Sequence, residues 1–183
     1  MKQSPPLSLA GKLLLAEPAM RDPNFFRSVV LLTQHDLENG AAGYVLNRPL
    51  GKTLGDIVTA PELVGLSDLP VFIGGPVSTG QLTLVSLYWN EVTHALEYTT
   101  DLSAAAAREM LNEGWLIRAF VGYSGWTTGQ LESELMRHTW ITRNTDPAVA
   151  DAESTPELWR LLLRGMGPWH KLIADVPEDP SLN

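Results

Sequence analysis

Short apolar runs separated by glycine, proline and asparagine dominate the first half of the chain. The runs at 11–16, 28–33 and 71–73 are continuous, which is the pattern of strands buried on both faces of a sheet. Asn39-Gly40 precedes a further short run at 43–46, and this dipeptide favours a hairpin because both residue types tolerate positive φ. The pattern therefore predicts antiparallel pairing across 28–46.

The second half of the chain mixes strand patterns with helical ones. Helix N-caps are predicted at Thr53, where Asp56 completes a capping pair, at Ser103, and at Ser154 or Thr155. The predicted strands are 82–87, 95–98, 116–123 and 140–142, and the predicted helices are 53–58, 103–112, 129–138 and 155–165. Hairpins mixed with scattered helices, without strict strand–helix alternation, indicate an α+β fold with a mixed sheet.

The boundaries of the folded unit follow from the same pattern. Residues 1–8 and 176–183 are rich in proline and polar residues and are predicted to be flexible tails, which leaves one domain over 9–175. The apolar run that ends at Ala16 is stopped by Glu17-Pro18, too early for a signal peptide or a membrane span. With no cysteine in the chain, disulfides and thiolate chemistry are excluded. A soluble cytoplasmic protein without membrane contact is expected.

Charge narrows the classes of partner. The formal net charge is −8, and a field of that sign repels a phosphate backbone. Direct contact with nucleic acid is therefore not expected, although Arg137, Arg143, Arg160, Arg164 and Lys171 could form a local basic patch.

Ser124 is a candidate catalytic residue, and the four histidines are candidate metal ligands. Ser124 follows a predicted strand and precedes a predicted helix, as in a nucleophile elbow, but Gly125 falls one place early for that motif. A turn serine that bonds the main chain is the alternative reading. The four histidines lack metal-ligand spacing, so the sequence predicts no metal site and no cofactor.

Glycine turns and two arginines are further candidates. Gly74-Gly75-Pro76 suits either a phosphate-binding turn or a close approach of two chain segments, and the second is favoured because no Lys-Ser/Thr follows. Arg27 and Arg48 lie at the ends of apolar strands, where each could pair with a carboxylate such as Asp22, Asp56 or Glu132, or recognise an acidic ligand. Of the six tryptophans, Trp159 is expected to be partly exposed on the last helix.

Four ordered motifs carry a resemblance to a known family. They are Asp22-Pro23-Asn24-Phe25-Phe26-Arg27-Ser28, Gly43-Tyr44-Val45-Leu46-Asn47-Arg48-Pro49, Val71-Phe72-Ile73-Gly74-Gly75-Pro76-Val77, and Gly122-Tyr123-Ser124-Gly125-Trp126 followed by Gly129-Gln130-Leu131-Glu132. In this order they resemble the bacterial AlgH/YqgE family over about residues 9–175. The resemblance implies one α+β domain with a bifurcated, largely antiparallel mixed sheet flanked by helices. It also implies no established enzymatic activity and a proposed role in regulating transcription.

Three hypotheses about function follow. The first is a non-enzymatic regulatory or interaction protein that binds a protein partner or a small acidic ligand. The residues predicted for that site are Arg27, Asn47, Arg48, Gly74, Gly75, Gly125, Trp126 and Gln130. The second is a hydrolase or nucleotide-handling enzyme that uses carboxylates such as Asp22 and Glu132, and the third is direct DNA binding.

Overall fold

The computed structural model describes residues 8–151 and 157–176. Its strands are β1 (Leu13–Ala16), β2 (Val29–Asp36), β3 (Gly40–Val45), β4 (Pro49–Thr53), β5 (Pro70–Ile73), β6 (Val77–Asn90), β7 (Ala95–Thr99), β8 (Leu116–Trp126) and β9 (Trp140–Arg143). Its helices are α1 (Leu54–Ile57), α2 (Ala104–Asn112), α3 (Gln130–Met136), α4 (Leu158–Arg164) and α5 (Pro168–Ala174), with single 3-10 turns at Pro61–Leu63 and Pro147–Ala150.

The strands form one mixed sheet, and β8 is the strand at which it branches. Along one edge of β8, the first part pairs with β5 at Val71↔Ala119 and the last part pairs with β3 at Gly43↔Ser124. The other edge pairs with β6, which also carries β7. Only the β5–β8 pair is parallel among the strand pairs of the described chain. The α+β class and the largely antiparallel, bifurcated mixed sheet are confirmed.

Both faces are covered at β1 and the first part of β2, which explains their continuous apolar runs. In β1, Leu13 and Leu15 pack on the face that α4 covers, whereas Leu14 and Ala16 pack with Leu131 of α3 on the opposite face. A third apolar cluster lies where α2 covers the first part of β8. Because strands buried on both faces have no solvent-exposed side, their sequences do not show the two-residue alternation of a half-exposed sheet.

Most predicted strands and helices are confirmed, and the predicted N-caps Ser103 and Thr53 make capping hydrogen bonds. Ser103 accepts the Ala106 amide at 3.2 Å. The Thr53 amide donates to the Asp56 carboxylate at 2.8 Å, and this bond lowers the pKa of Asp56. The Asn39-Gly40 hairpin joins β2 to β3, although only Gly40 of the pair has positive φ. Ser154 and Thr155 lie outside the described residues.

The observed elements differ from the predicted ones mainly in the length of two strands and at segments with irregular sequence. β6 and β8 are longer than predicted because both continue past the branch, where polar and glycine-rich segments are held by neighbouring strands. β4 and α5 were not predicted. Pro49 at the first position of β4 favoured the end of a strand, whereas Pro168 at the first position of α5 is compatible with a helix start. Of the predicted tails, only Ser8 and Val176 belong to the described residues.

Candidate functional site

Asn47 holds together the loop that precedes β2. Its side-chain oxygen accepts the Val29 amide at 2.8 Å, and its side-chain nitrogen donates to the Arg27 carbonyl at 2.9 Å. Both ends of the amide are therefore used inside the fold. Such a pair of bonds fixes the chain as it enters the strand.

Arg48 bonds to the same loop. Its guanidinium donates to the carbonyl oxygens of Pro23 at 2.8 Å and Phe26 at 3.0 Å. Burial lowers the pKa of Arg48, and the nearby negative charge of Asp22 opposes this shift. Arg48 thus bridges two main-chain carbonyls, with the charge of Asp22 nearby, where the sequence suggested a direct pairing with a carboxylate.

Arg27 faces the C-terminal helices. It adopts φ 52°, its guanidinium carbon lies 5.2 Å from the ring centre of Phe26 and 5.3 Å from that of Trp159, and its Nη2 donates to the Val176 carbonyl at 2.6 Å. The expectation that Trp159 is partly exposed is wrong. Its indole donates to the Ala16 carbonyl at 2.9 Å and the residue is buried, whereas Trp169 of α5 is exposed.

Glycines make the branch point of the sheet possible. We use "branch point" for Gly74, Gly75 and Gly122, where β5 and β3 meet on the edge of β8. A Cβ on Gly74 would lie 2.4 Å from the Gly122 carbonyl oxygen, and one on Gly75 would lie 2.3 Å from the Tyr123 carbonyl. The close-approach interpretation of Gly74-Gly75 explains this geometry without a phosphate.

Ser124 belongs to the same region. It lies within β8 and not in a strand-to-helix turn, it is fully buried, and its hydroxyl donates to the Gly74 carbonyl at 3.0 Å. This is the main-chain bond that the alternative reading of Ser124 predicted.

Trp126 and Gln130 converge on one carboxylate. Glu134 accepts the indole N–H of Trp126 at 2.8 Å, the indole N–H of Trp140 at 2.7 Å, and the side-chain amide of Gln130 at 3.0 Å. Phe25 packs on both indoles, with ring centres 6.2 Å and 5.3 Å away. This cluster attaches α3 to the end of β8.

A groove opens beside this cluster, on the face of the sheet that holds Ala42 and Gly125. Its volume is about 600 Å³, and its floor is formed by small residues of β3 and β8 that pair at Ala42↔Gly125. The residues that line it are Thr33, Gln34, Asp36, Asn39, Gly40, Ala41, Ala42, Gly43, Tyr44, Val77, Gln81, Thr83, Thr100, Asp101, Tyr123, Gly125, Trp126 and Thr127. We call this space the groove. Its volume is that of a site for a small molecule or a few side chains.

Three polar side chains, those of Tyr44, Tyr123 and Asp101, line the groove. Burial raises the pKa of Tyr44, and the charges of Asp101 and Tyr123 raise it further, while a hydrogen bond with the Thr83 side chain opposes the shift. The carboxylate of Asp101 therefore lies close enough to the Tyr44 phenol to act on it. Asp101 also adopts φ 56°, a left-handed conformation that is uncommon outside glycine.

His35 is held by contacts on both sides of its ring. Its Nδ1 accepts the Leu9 amide at 3.1 Å, so its Nε2 carries the proton and donates to Glu132 at 2.9 Å. Across residues 8–151 and 157–176, no group of three or more histidines and carboxylates is placed to hold a metal ion. Within those ranges, no helix is long and apolar enough to cross a membrane.

The predicted site residues do not form one site. Arg27 lies in the loop at 22–28 and donates to the Val176 carbonyl, whereas Asn47 and Arg48 bond to that loop. Gly74 and Gly75 belong to the branch point. Gly125 and Trp126 line the groove, and Gln130 lies beside Trp126 through Glu134. Tyr44, Tyr123 and Asp101 were not predicted. The Gly-Tyr pair repeated at 43–44 and 122–123 was the one signal that could have indicated the two tyrosines.

Fold and groove together define a class: a one-domain α+β protein whose mixed sheet branches at β8 and holds a polar groove of ligand size beside the branch. The model of a family described as AlgH-like matches residues 13–171. The chain belongs to the AlgH-like family.

Relatives and solved structures agree with this membership. A UPF0301 protein of Streptomyces avermitilis is 40% identical over 190 residues, 96% of each chain. A UPF0301 protein of Chlorobium luteolum is 32% identical, over 95% of this chain and 94% of its own. The solution structure of the AlgH protein from Pseudomonas aeruginosa matches with TM-score 0.58 and 29% identity, over 98% of this chain and all of its own. A crystal structure from Corynebacterium diphtheriae, 22% identical, shares the fold with TM-score 0.70, over 96% of this chain and 95% of its own.

Proposed function

We propose that this protein is a non-enzymatic regulatory or interaction protein of the bacterial cytoplasm, and that it binds a small ligand or a partner's side chains in the groove. The observation that carries the proposal is the groove itself, a space of about 600 Å³ beside the branch point, with hydroxyl, amide, phenol and carboxylate groups around a floor of small residues. Concave sites with a few converging polar groups are where proteins bind ligands.

The contacts of the candidate catalytic residues favour binding over catalysis. Asp22 accepts the Asn24 amide at 2.7 Å within its own loop, whereas Glu132 pairs with His35. These two carboxylates have different partners, so nothing in their contacts supports a shared acid–base role. Ser124 is buried, and its hydroxyl donates to the Gly74 carbonyl rather than to a side-chain base that could activate it.

An effect on transcription would then be indirect. The net charge of −8 opposes contact with DNA, so the regulator would act through the ligand or the protein that it binds. An acidic ligand, the other expectation from the sequence, would have to bind near Arg27 and Arg48. Since both guanidinium groups already donate to main-chain carbonyls, the groove is the better candidate site.

The test places one bulky side chain on the groove floor. Ala42→Phe fills the groove, and Ala95→Phe makes the same change at an exposed position at the start of β7, outside the groove. Each variant would replace the native gene on the chromosome, and transcripts would be compared with those of the deletion strain at matched protein abundance. Ala42→Phe is expected to reproduce the changes of the deletion, and Ala95→Phe is not. Wild-type transcripts in the Ala42→Phe strain would refute the proposal.

A further inference from the structure

The charges around the groove have a single sign. Its lining includes the carboxylates of Asp36 and Asp101, and none of the described residues that line it is lysine, arginine or histidine. Asp36 is partly used by its own turn, since its Oδ1 accepts the amides of Glu38 and Asn39. Asp101 is bonded less. Within the described ranges, the Thr100 hydroxyl donates to its Oδ2 at 3.2 Å and no bond to its Oδ1 is present.

Aromatic rings stand on the same lining. Tyr44 and Tyr123 both border the groove, and the Tyr44 ring packs against Phe120 at 5.0 Å between ring centres. Ring faces attract cations through their quadrupole, and a carboxylate beside them adds a direct charge. An anionic ligand would meet the carboxylates with no cation to balance it.

We propose that the groove binds an alkylammonium group, with Asp101 as the anion and Tyr44 and Tyr123 as the aromatic and hydroxyl contacts. This inference rests on the proposed function, because it assumes that the groove is the binding site, and it adds the chemical class of the ligand. Such a group could belong to a lysine side chain of a partner or to a free amine, since both present the same cation on a flexible alkyl chain.

A series of four small probes separates these cases. The probes are Nα-acetyl-lysine methylamide, its Nε-acetylated neutral form, Nα-acetyl-glutamate methylamide and n-pentylamine. Each would be titrated into the folded protein, and the shifts of the amide resonances of Ala42, Gly43 and Gly125 would be followed. Asp101→Asn removes the charge and keeps a residue type that tolerates positive φ. Asp68→Asn, at an exposed position outside the groove, makes the same change in net charge.

The expected result is saturable shifts of the groove resonances with the lysine derivative and weaker binding of its neutral form. Asp101→Asn is expected to weaken binding of the lysine derivative by about three- to fivefold, as for a partly exposed cation contact, and Asp68→Asn is expected to leave it unchanged. If n-pentylamine binds as tightly as the lysine derivative, a free amine is sufficient. If it binds more weakly, the peptide groups contribute and a lysine-bearing partner is indicated.

Two results would overturn the inference. One is equal binding of the neutral and cationic lysine derivatives, or tighter binding of the glutamate derivative, at the groove resonances. The groove would then still be a binding site, and the proposed function would stand without this ligand class. The other is the absence of any shift with the cationic probes, in which case the transcript comparison of Ala42→Phe decides the proposed function separately.

Discussion

At the scale of single residues, the side chains that looked functional in the sequence are mostly those that hold loops and strands in place. Asn47 uses both ends of its amide, Arg48 bridges two carbonyls, and Ser124 bonds to Gly74. Polar residues at strand ends do concentrate function, but buried main-chain groups need the same residue types to satisfy their hydrogen bonds. A single sequence cannot separate the two uses, because the partners are distant along the chain.

Glu134 provides a test at this scale. Glu134→Ala would leave the indole N–H groups of Trp126 and Trp140 without their acceptor, and both tryptophans are almost fully buried. Unsatisfied buried donors cost about 1–3 kcal/mol, so the free energy of unfolding should fall by at least that range. Urea denaturation followed by tryptophan fluorescence measures it. Glu109→Ala, at an exposed position of α2, is the matched control and should change stability little. An equal loss in both variants would contradict the assignment.

At the scale of elements, the strands were predictable where their own residues are apolar. They were not predictable where their extended conformation depends on pairing with neighbouring strands. The first part of β2 is a continuous apolar run, the first part of β8 is apolar except for Arg118, and the sequence predicted both strands. The last part of β8, with Ser124 and Gly125, carries no strand signal and is extended because β3 and β6 pair with this end of the strand. The branch point therefore could not be derived from local propensity, which tertiary pairing overrides.

Two glycines with similar backbone angles test the branch point. Gly122 has φ 68° and Gly51 has φ 73°, but a Cβ on Gly122 would lie 2.5 Å from the Gly75 carbonyl oxygen, whereas one on Gly51 would meet nothing within 4 Å. Gly51→Ala should cost about 1–2 kcal/mol for the left-handed conformation alone. Gly122→Ala should cost about 1–3 kcal/mol more, because main-chain atoms must also move. Chemical denaturation of both variants checks this. Similar losses would show that the close approach at the branch point matters little.

At the scale of the whole molecule, the net charge predicts that the protein does not bind nucleic acid directly. The chain carries 21 acidic residues against 13 lysines and arginines, so a phosphate backbone meets a repulsive field at long range. Gel-shift titration with duplex DNA is therefore expected to show no complex even at low salt, where the phosphate contribution is greatest. A complex that weakens steeply as salt rises would instead indicate a basic surface and revive direct DNA binding.

The groove is the part of the molecule that the sequence could indicate least. Gly125 and Trp126 were predicted from their motif, but Asp101 lies at the end of β7 and Gln81 in the irregular part of β6, far from that motif along the chain. Only the folded sheet brings these residues to one surface. The fold class, by contrast, was readable, because hairpin signals and buried runs are local.

Native mass spectrometry of the protein purified from a bacterial lysate shows whether the groove is a binding site. Wild type and Ala95→Phe are expected to carry the same bound molecule or co-purifying partner, and Ala42→Phe is expected to lose it while it keeps a native circular dichroism spectrum. Retention of that molecule by Ala42→Phe at the wild-type level would show that it binds outside the groove.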